Sequence, residues 1–349
     1  MKSNIMPLYG LERTKLAEAV PLETPFSIFV FPTTFCNFRC NYCGHSMGLS
    51  KMKNLYDFEP QHMEMSVYLK VIEQLKAFPS KLKLLSLTGH GEPLLNPKIA
   101  DMVKIAKESN VAERIEIISN GSLLNKEVAD ALIDAKLDTL KISLQGMSDK
   151  SYLKTCGTEI SFEKLIYNLN YYYSHKQQGK LFVKIMDIAL DEGEEVLFYN
   201  TFENSSDRMF IEKVRPVYSG VNYDLELTTT MDRYGNIHKN RNVCPLPFFM
   251  LGIFPNGDVE PCDTIYKPVI LGNVKEHSLI EMWNGDILKE FQLSHLLLKR
   301  SENSKCATCC APNDVSHDED DLDFDAFNLS KIWEHQLLNG RTVDESKVD

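Results

Sequence analysis

The alternation of strand-like and helix-like segments from Phe26 to about Val214 constrains this chain more than any other feature. Six short runs rich in Ile, Val, Leu and Phe fall at 26–32, 82–89, 114–119, 139–144, 181–190 and 208–214. They read as near-continuous apolar stretches, which suits parallel strands buried on both faces. Helical faces lie between them. Val67, Val71, Ile72 and Leu75 form one after Ser66, and Leu165, Ile166 and Leu169 form another. Ile99, Met102, Val103 and Ala106 make a third, with Asn96 expected to cap it and Pro97 to open it. Six β-α units without a seventh or eighth predict an α/β chain with a partial (β/α)6 parallel barrel, although a doubly wound open sheet has the same periodicity.

After Val214 the pattern changes. Asn256–Gly257 between apolar stretches predicts a type I′ hairpin that returns Cys262 alongside the segment beginning near Cys244. Ser278 with Glu281 predicts a capping box for a short helix, and a second helix leads to "KCATCC" at 305–310. The expected organisation is an N-terminal extension (1–25), a barrel (26–240), a small β-hairpin and helix module (241–312), and an acidic loop with one helix (313–349). With 349 residues, one large and one small domain is the natural division. The acidic run at 318–325 reads most simply as a solvated segment.

A net charge of −11 argues against a nucleic-acid groove, and no apolar run suits an export signal or a membrane span. Nine cysteines, an odd number, point to metal or redox chemistry in a reducing, cytoplasmic compartment rather than to disulfides. Cys36, Cys40 and Cys43 are spaced C-x3-C-x2-C just beyond the first strand, at the barrel end where chemistry takes place. Such thiolates select zinc or an iron–sulfur cluster; a structural zinc would need a fourth ligand, which His45 could supply. A cluster with one iron left open is the other reading. Cys244, Cys262, Cys306 and Cys309 form a second set of four, equally acceptable to zinc or to a cluster.

With Tyr42 before Cys43, the first motif resembles that of the radical S-adenosylmethionine (radical SAM) enzymes. The resemblance implies a 4Fe–4S cluster on Cys36, Cys40 and Cys43, whose fourth iron chelates the methionine moiety of S-adenosylmethionine. Reductive cleavage then yields a 5′-deoxyadenosyl radical that takes hydrogen from the substrate. "TGHGEP" at 88–93 is similar to the family's Gly-Gly-Glu motif, with His90 in place of the first glycine. His90 and Gly91 are thereby expected at the methionine amine through backbone groups, Glu92 through its carboxylate, and Tyr42 against adenine. Ser143 and Gln145 are expected at ribose or carboxylate, with Asn120 and Lys184 or Asp187 completing the pocket.

Cys244–x12–Gly257–x4–Cys262 resembles the opening of the SPASM auxiliary-cluster pattern, here in the shortened Twitch form with one auxiliary 4Fe–4S cluster. Cys310 is an alternative to Cys309 as its last ligand. A closed ligand set fits an electron relay and hence substrate oxidation, with Asp187, Glu212 or Arg215 as proton-handling groups. Cys156 and Cys310 are left over: buried apolar residues, or hydrogen-atom donors if the reaction is an epimerisation. About 25 residues precede the first strand, too few for a leader-peptide domain. A small polar substrate, a carbohydrate or aminocyclitol, is therefore expected, with flavodoxin or ferredoxin as electron donor. Peptide or protein maturation is the alternative within the family. A non-catalytic iron–sulfur or zinc protein is the alternative outside it.

Overall fold

In the computed structural model, which describes residues 2–7, 13–223, 231–237, 239–314 and 317–344 with side chains to 339, ten strands form one sheet. They are β1 (Asn4–Ile5), β2 (Ser27–Val30), β3 (Leu82–Leu87), β4 (Ala112–Ser119), β5 (Thr139–Leu144), β6 (Lys180–Met186), β7 (Arg208–Glu212), β8 (Met250–Ile253), β9 (Asp258–Glu260) and β10 (Gly272–Asn273). The order is β1-β7-β6-β5-β4-β3-β2-β8-β9-β10. From β2 to β7 each strand lies parallel to the next in chain order. A doubly wound sheet would reverse about a switch point; this one does not, so its helices wind in one sense, as in a barrel. β1 and β10 remain as edges, and the barrel is partial.

Two pairings were not visible in the sequence pattern. Asn4–Ile5 pairs parallel with Arg208–Met209, so the N-terminal extension adds an edge strand ahead of the first predicted one. β8 pairs parallel with β2, Ser27 opposite Met250 and Val30 opposite Ile253. The small module is thus attached to the barrel through continuous backbone hydrogen bonding. The predicted β8–β9 hairpin is present, but not with a type I′ turn. Only Gly257 has positive φ (+97°), and its N–H donates to the Phe254 carbonyl. A turn over Phe254–Gly257 ending in a left-handed glycine is the longer, bulged connection.

The helix Met65–Leu75 buries Val67, Val71, Ile72 and Leu75. Each such side chain contributes roughly 1.5–3 kcal/mol relative to exposure. The helix Ile99–Ser109 starts later than predicted: Lys98 is its N-cap, and Asn96 turns back to donate to the Pro32 carbonyl at 2.7 Å. That bond ties the chain after β3 to the end of β2. The Ser278–Glu281 capping box forms as predicted. The helix Ala326–Asp344 buries Trp333, whose indole N–H donates to Gln292 Oε1 at 2.6 Å.

The acidic segment is not simply solvated. Asp323 accepts from the Val243 N–H at 2.7 Å, one residue before Cys244, and Asp320 pairs with Arg13. Among the described residues no helix is long and apolar enough to cross a membrane.

Candidate functional site

The first cysteine set sits on the loop that leaves β2. This loop is pinned from below: Arg39 and Asn41 donate their N–H groups to the carbonyls of Cys156 (2.9 Å) and Thr155 (2.8 Å). The Arg39 guanidinium donates to the carbonyls of Cys36 (2.7 Å) and Phe38 (2.8 Å). Gly91 crosses the loop so closely that a Cβ there would stand 2.5 Å from the carbonyl oxygens of Thr33 and Phe35. Only glycine fits that crossing.

Cys36, Cys40 and Cys43 line a cavity of about 700 Å3 together with Tyr42, Gly91, Glu92, Asn120, Ser143, Gln145 and Lys184. Burial pushes the Cys36 thiol up to about 12 and raises Cys40 and Cys43 as well. The Glu92 carboxylate is buried and accepts from Ser119 Oγ (2.7 Å), Leu94 N–H (2.9 Å) and Asn120 N–H (2.6 Å). Burial still raises its pKa. A carboxylate has about four acceptor positions, so one remains for a cationic donor in the cavity. Gln145 Oε1 is buried and has no partner, and its Nε2 reaches the Tyr42 hydroxyl only at 3.5 Å.

His90 turns its ring away from the cavity. Its carbonyl accepts from His45 Nε2 at 2.7 Å, and its ring packs edge-on to Phe31 and stacked on Phe254, outside the cavity wall. Burial pushes that imidazole down to about 3, so it is neutral. That bond leaves His45 Nδ1 without a partner, but His45 does not line the cavity, which holds three thiols.

Lys184 and Glu212 stand where this cavity meets a second, larger one of about 1750 Å3 inside the barrel. Lys184 Nζ lies 2.7 Å from Glu212 Oε2, Arg233 lies 3.8 Å from Glu212, and Arg233 pairs with Asp314. Burial opposes charge on Glu212, but Lys184 and Arg233 outweigh it and hold the carboxyl below its usual range. Deeper in the barrel Glu116 pairs with Lys141 at 3.0 Å and Arg114 at 3.9 Å. Arg233 and Asp314 were missed in the sequence because their pairing spans 81 residues.

Four expected residues lie elsewhere. Asp187 Oδ1 accepts from Ile188 and Val214 N–H groups at 2.9 Å each, so it shapes the exits of β6 and β7 and lines neither cavity. Arg215 donates to the Met231 carbonyl and lies 4.0 Å from Asp314, behind the cavity wall. Cys156 is fully buried under the cysteine loop, and its thiol donates to the Tyr152 carbonyl at 3.0 Å. It lines neither cavity. Cys310 is partly buried beside Asp314, Arg215 and Arg233, and lines none of these cavities.

Cys244, Cys262, Cys306 and Cys309 surround a separate cavity of about 340 Å3. Cys309, rather than Cys310, faces it. Among the described residues no three His, Cys, Asp or Glu side chains are gathered closely enough for a single metal ion. Each thiol set converges on its own cavity. His295 lines the second space, is 1% exposed, and has neither ring nitrogen bonded. Burial pushes it down to about 4, and a neutral imidazole carries one N–H that needs an acceptor. A cluster sulfur fits that need. His295→Leu is therefore expected to lower the auxiliary cluster's reduction potential, cutting its reduced-to-oxidised ratio about tenfold at a fixed potential. An EPR-monitored redox titration checks this.

The comparisons with known proteins decide the family. A radical SAM superfamily model matches residues 30–195, and a model of the SPASM iron–sulfur cluster-binding domain matches 244–310. The chain carries a radical SAM domain followed by a SPASM domain. Its radical SAM domain implies a 4Fe–4S cluster and S-adenosylmethionine, and its SPASM domain implies auxiliary cluster binding. The chain is 24% identical to the tungsten-containing aldehyde ferredoxin oxidoreductase cofactor-modifying protein of Pyrococcus furiosus, over 73% of this chain and 79% of that one. In fold it is similar to BtrN, solved with AdoMet and 2-DOIA: TM-score 0.55, 18% identity, 84% of this chain and 97% of the other. It is also similar to Streptococcus suis SuiB bound to S-adenosylmethionine: TM-score 0.60, 17% identity, 86% and 74% covered. These radical SAM chains share the parallel partial barrel.

Proposed function

We propose that this radical SAM enzyme oxidises a small polar substrate of carbohydrate or aminocyclitol type, held in the barrel cavity against the Lys184–Glu212 pair. The observation that carries the reading is the shared wall: Lys184 and Glu212 line both the cysteine cavity and the larger charged one. A substrate there would lie beside the ligand of the first cavity. When bound, the reduced cluster supplies the electron that cleaves S-adenosylmethionine.

The chain's own residues do the rest. Glu92, with its one spare acceptor position, holds the methionine amine, and Gln145 Oε1 accepts from the ligand; Tyr42 packs against adenine, with Asn120 and Ser143 completing the wall. Glu212, kept anionic by Lys184 and Arg233, accepts the proton of a substrate hydroxyl as the carbon is oxidised. Arg233 and Asp314 hydrogen-bond and orient the remaining polar groups. Cys244, Cys262, Cys306 and Cys309 would hold the auxiliary cluster, which would supply the acceptor for the substrate's second electron.

The reading is tested by giving the reconstituted, reduced protein either polar metabolite fractions or peptide fractions. Substrate-dependent 5′-deoxyadenosine, with a product two mass units lighter, is expected from the metabolites. Stimulation by peptides alone would overturn it, and solvent deuterium in the product would replace oxidation with epimerisation.

A further inference from the structure

Three tyrosines from three separate segments join the two cysteine sets. Tyr218 lies in the loop after β7, between the two matched family regions, and its ring packs on Gly44, where a Cβ would stand 2.9 Å from ring carbons. Gly44 follows Cys43 directly, and the Tyr218 hydroxyl is close enough to the Cys43 thiol for each to influence the other's ionisation. Tyr223 fixes this loop, accepting from the Tyr218 N–H at 3.1 Å and donating to the Tyr42 carbonyl at 3.2 Å.

From Tyr218 the rings continue. Tyr56 stands edge-to-face to Tyr218, with centroids 6.4 Å apart, and edge-to-face to Tyr266 at 5.4 Å. Tyr56 and Tyr266 are 2% and 7% exposed, and Tyr218 is partly buried against the same cluster. Tyr266 lines the auxiliary cavity, and Cys309 packs against the same apolar cluster as Tyr218. The Tyr266 hydroxyl donates to the Val217 carbonyl at 3.1 Å, so the path is also crossed by hydrogen bonds. Electron tunnelling weakens steeply with distance and more steeply across gaps than through packed atoms. Contiguous buried rings therefore couple two redox centres better than loose packing does.

We propose that Tyr218, Tyr56 and Tyr266 carry one electron between the SAM-binding cluster and the auxiliary cluster. The inference rests on both cysteine sets holding clusters. One cluster loses the electron and the other gains it; no bond forms or breaks, and no tyrosine is oxidised or loses its proton. In a substrate oxidation this path returns to the SAM-binding cluster the electron left on the auxiliary one.

The test uses holoenzyme carrying both clusters. Substoichiometric dithionite is mixed in, and freeze-quenched EPR follows redistribution of the electron, with S-adenosylmethionine shifting the signal of the cluster it binds. Tyr56→Leu and Tyr266→Leu are expected to slow redistribution roughly tenfold, while Tyr56→Phe keeps the native rate. Tyr218→Phe, which loses only the hydroxyl at Cys43 and retains the packing, is expected to slow it by a smaller factor. An unchanged rate in Tyr218→Phe and in whichever leucine variant retains both EPR signals overturns the path. A native chain holding only about four irons instead removes the two-cluster reading, and the path with it.

Discussion

Cys40→Ala is expected to lower the iron content from about eight to about four per chain and to abolish 5′-deoxyadenosine formation. The loop offers no substitute ligand. Neither His45 nor Cys156 lines the cavity around the three thiols. Cys309→Ala is the informative companion. It removes a thiol from the auxiliary cavity and leaves the first set untouched, so S-adenosylmethionine cleavage should survive while substrate oxidation fails. Iron and sulfide counts with EPR of each variant check both. Cleavage persisting in Cys40→Ala would show that the first set is not where S-adenosylmethionine reacts.

The second large effect concerns the Lys184–Glu212 pair. Glu212→Gln keeps the shape but loses the anion, and is expected to reduce kcat by about 10²–10⁴. Cleavage of S-adenosylmethionine should continue, uncoupled from product. Lys184→Met acts differently, because it leaves a 4%-exposed carboxylate with only the more distant Arg233 for compensation. Breaking a buried pair on one side costs about 3–5 kcal/mol, so this variant should also unfold at lower denaturant concentration. The double variant Lys184→Met/Glu212→Leu should recover much of that stability and none of the activity. Recovery of turnover in the double variant would remove Glu212 from the chemistry.

Much of the barrel was legible because β2 to β7 are buried on both faces and bounded by turn residues, a local signal. β1 was not, since two residues carry no period, and the parallel joining of β8 to β2 is set by tertiary contact alone. The hairpin's position was read from Asn256–Gly257, but its turn type depends on which residue takes positive φ, and only Gly257 does. Within the site, cysteine spacing exposed both thiol sets, because ligands on one loop must be close in sequence. Strand alternation puts Lys184 and Asp187 on opposite faces, so at most one of them could face the barrel. A tight turn at 187–189 then ends β6 and sends Asp187 to the backbone of Val214. Arg233, Asp314, His295 and Tyr218 gave no such signal, because each acquires its role only when segments far apart in sequence pack together.

The most direct measurement is the yield of 5′-deoxyadenosine from the anaerobically reconstituted, reduced chain supplied with S-adenosylmethionine. The account predicts release in proportion to the loaded first cluster, retained in Cys309→Ala and lost in Cys36→Ala, Cys40→Ala and Cys43→Ala. A fully loaded, reducible protein that releases none would contradict it.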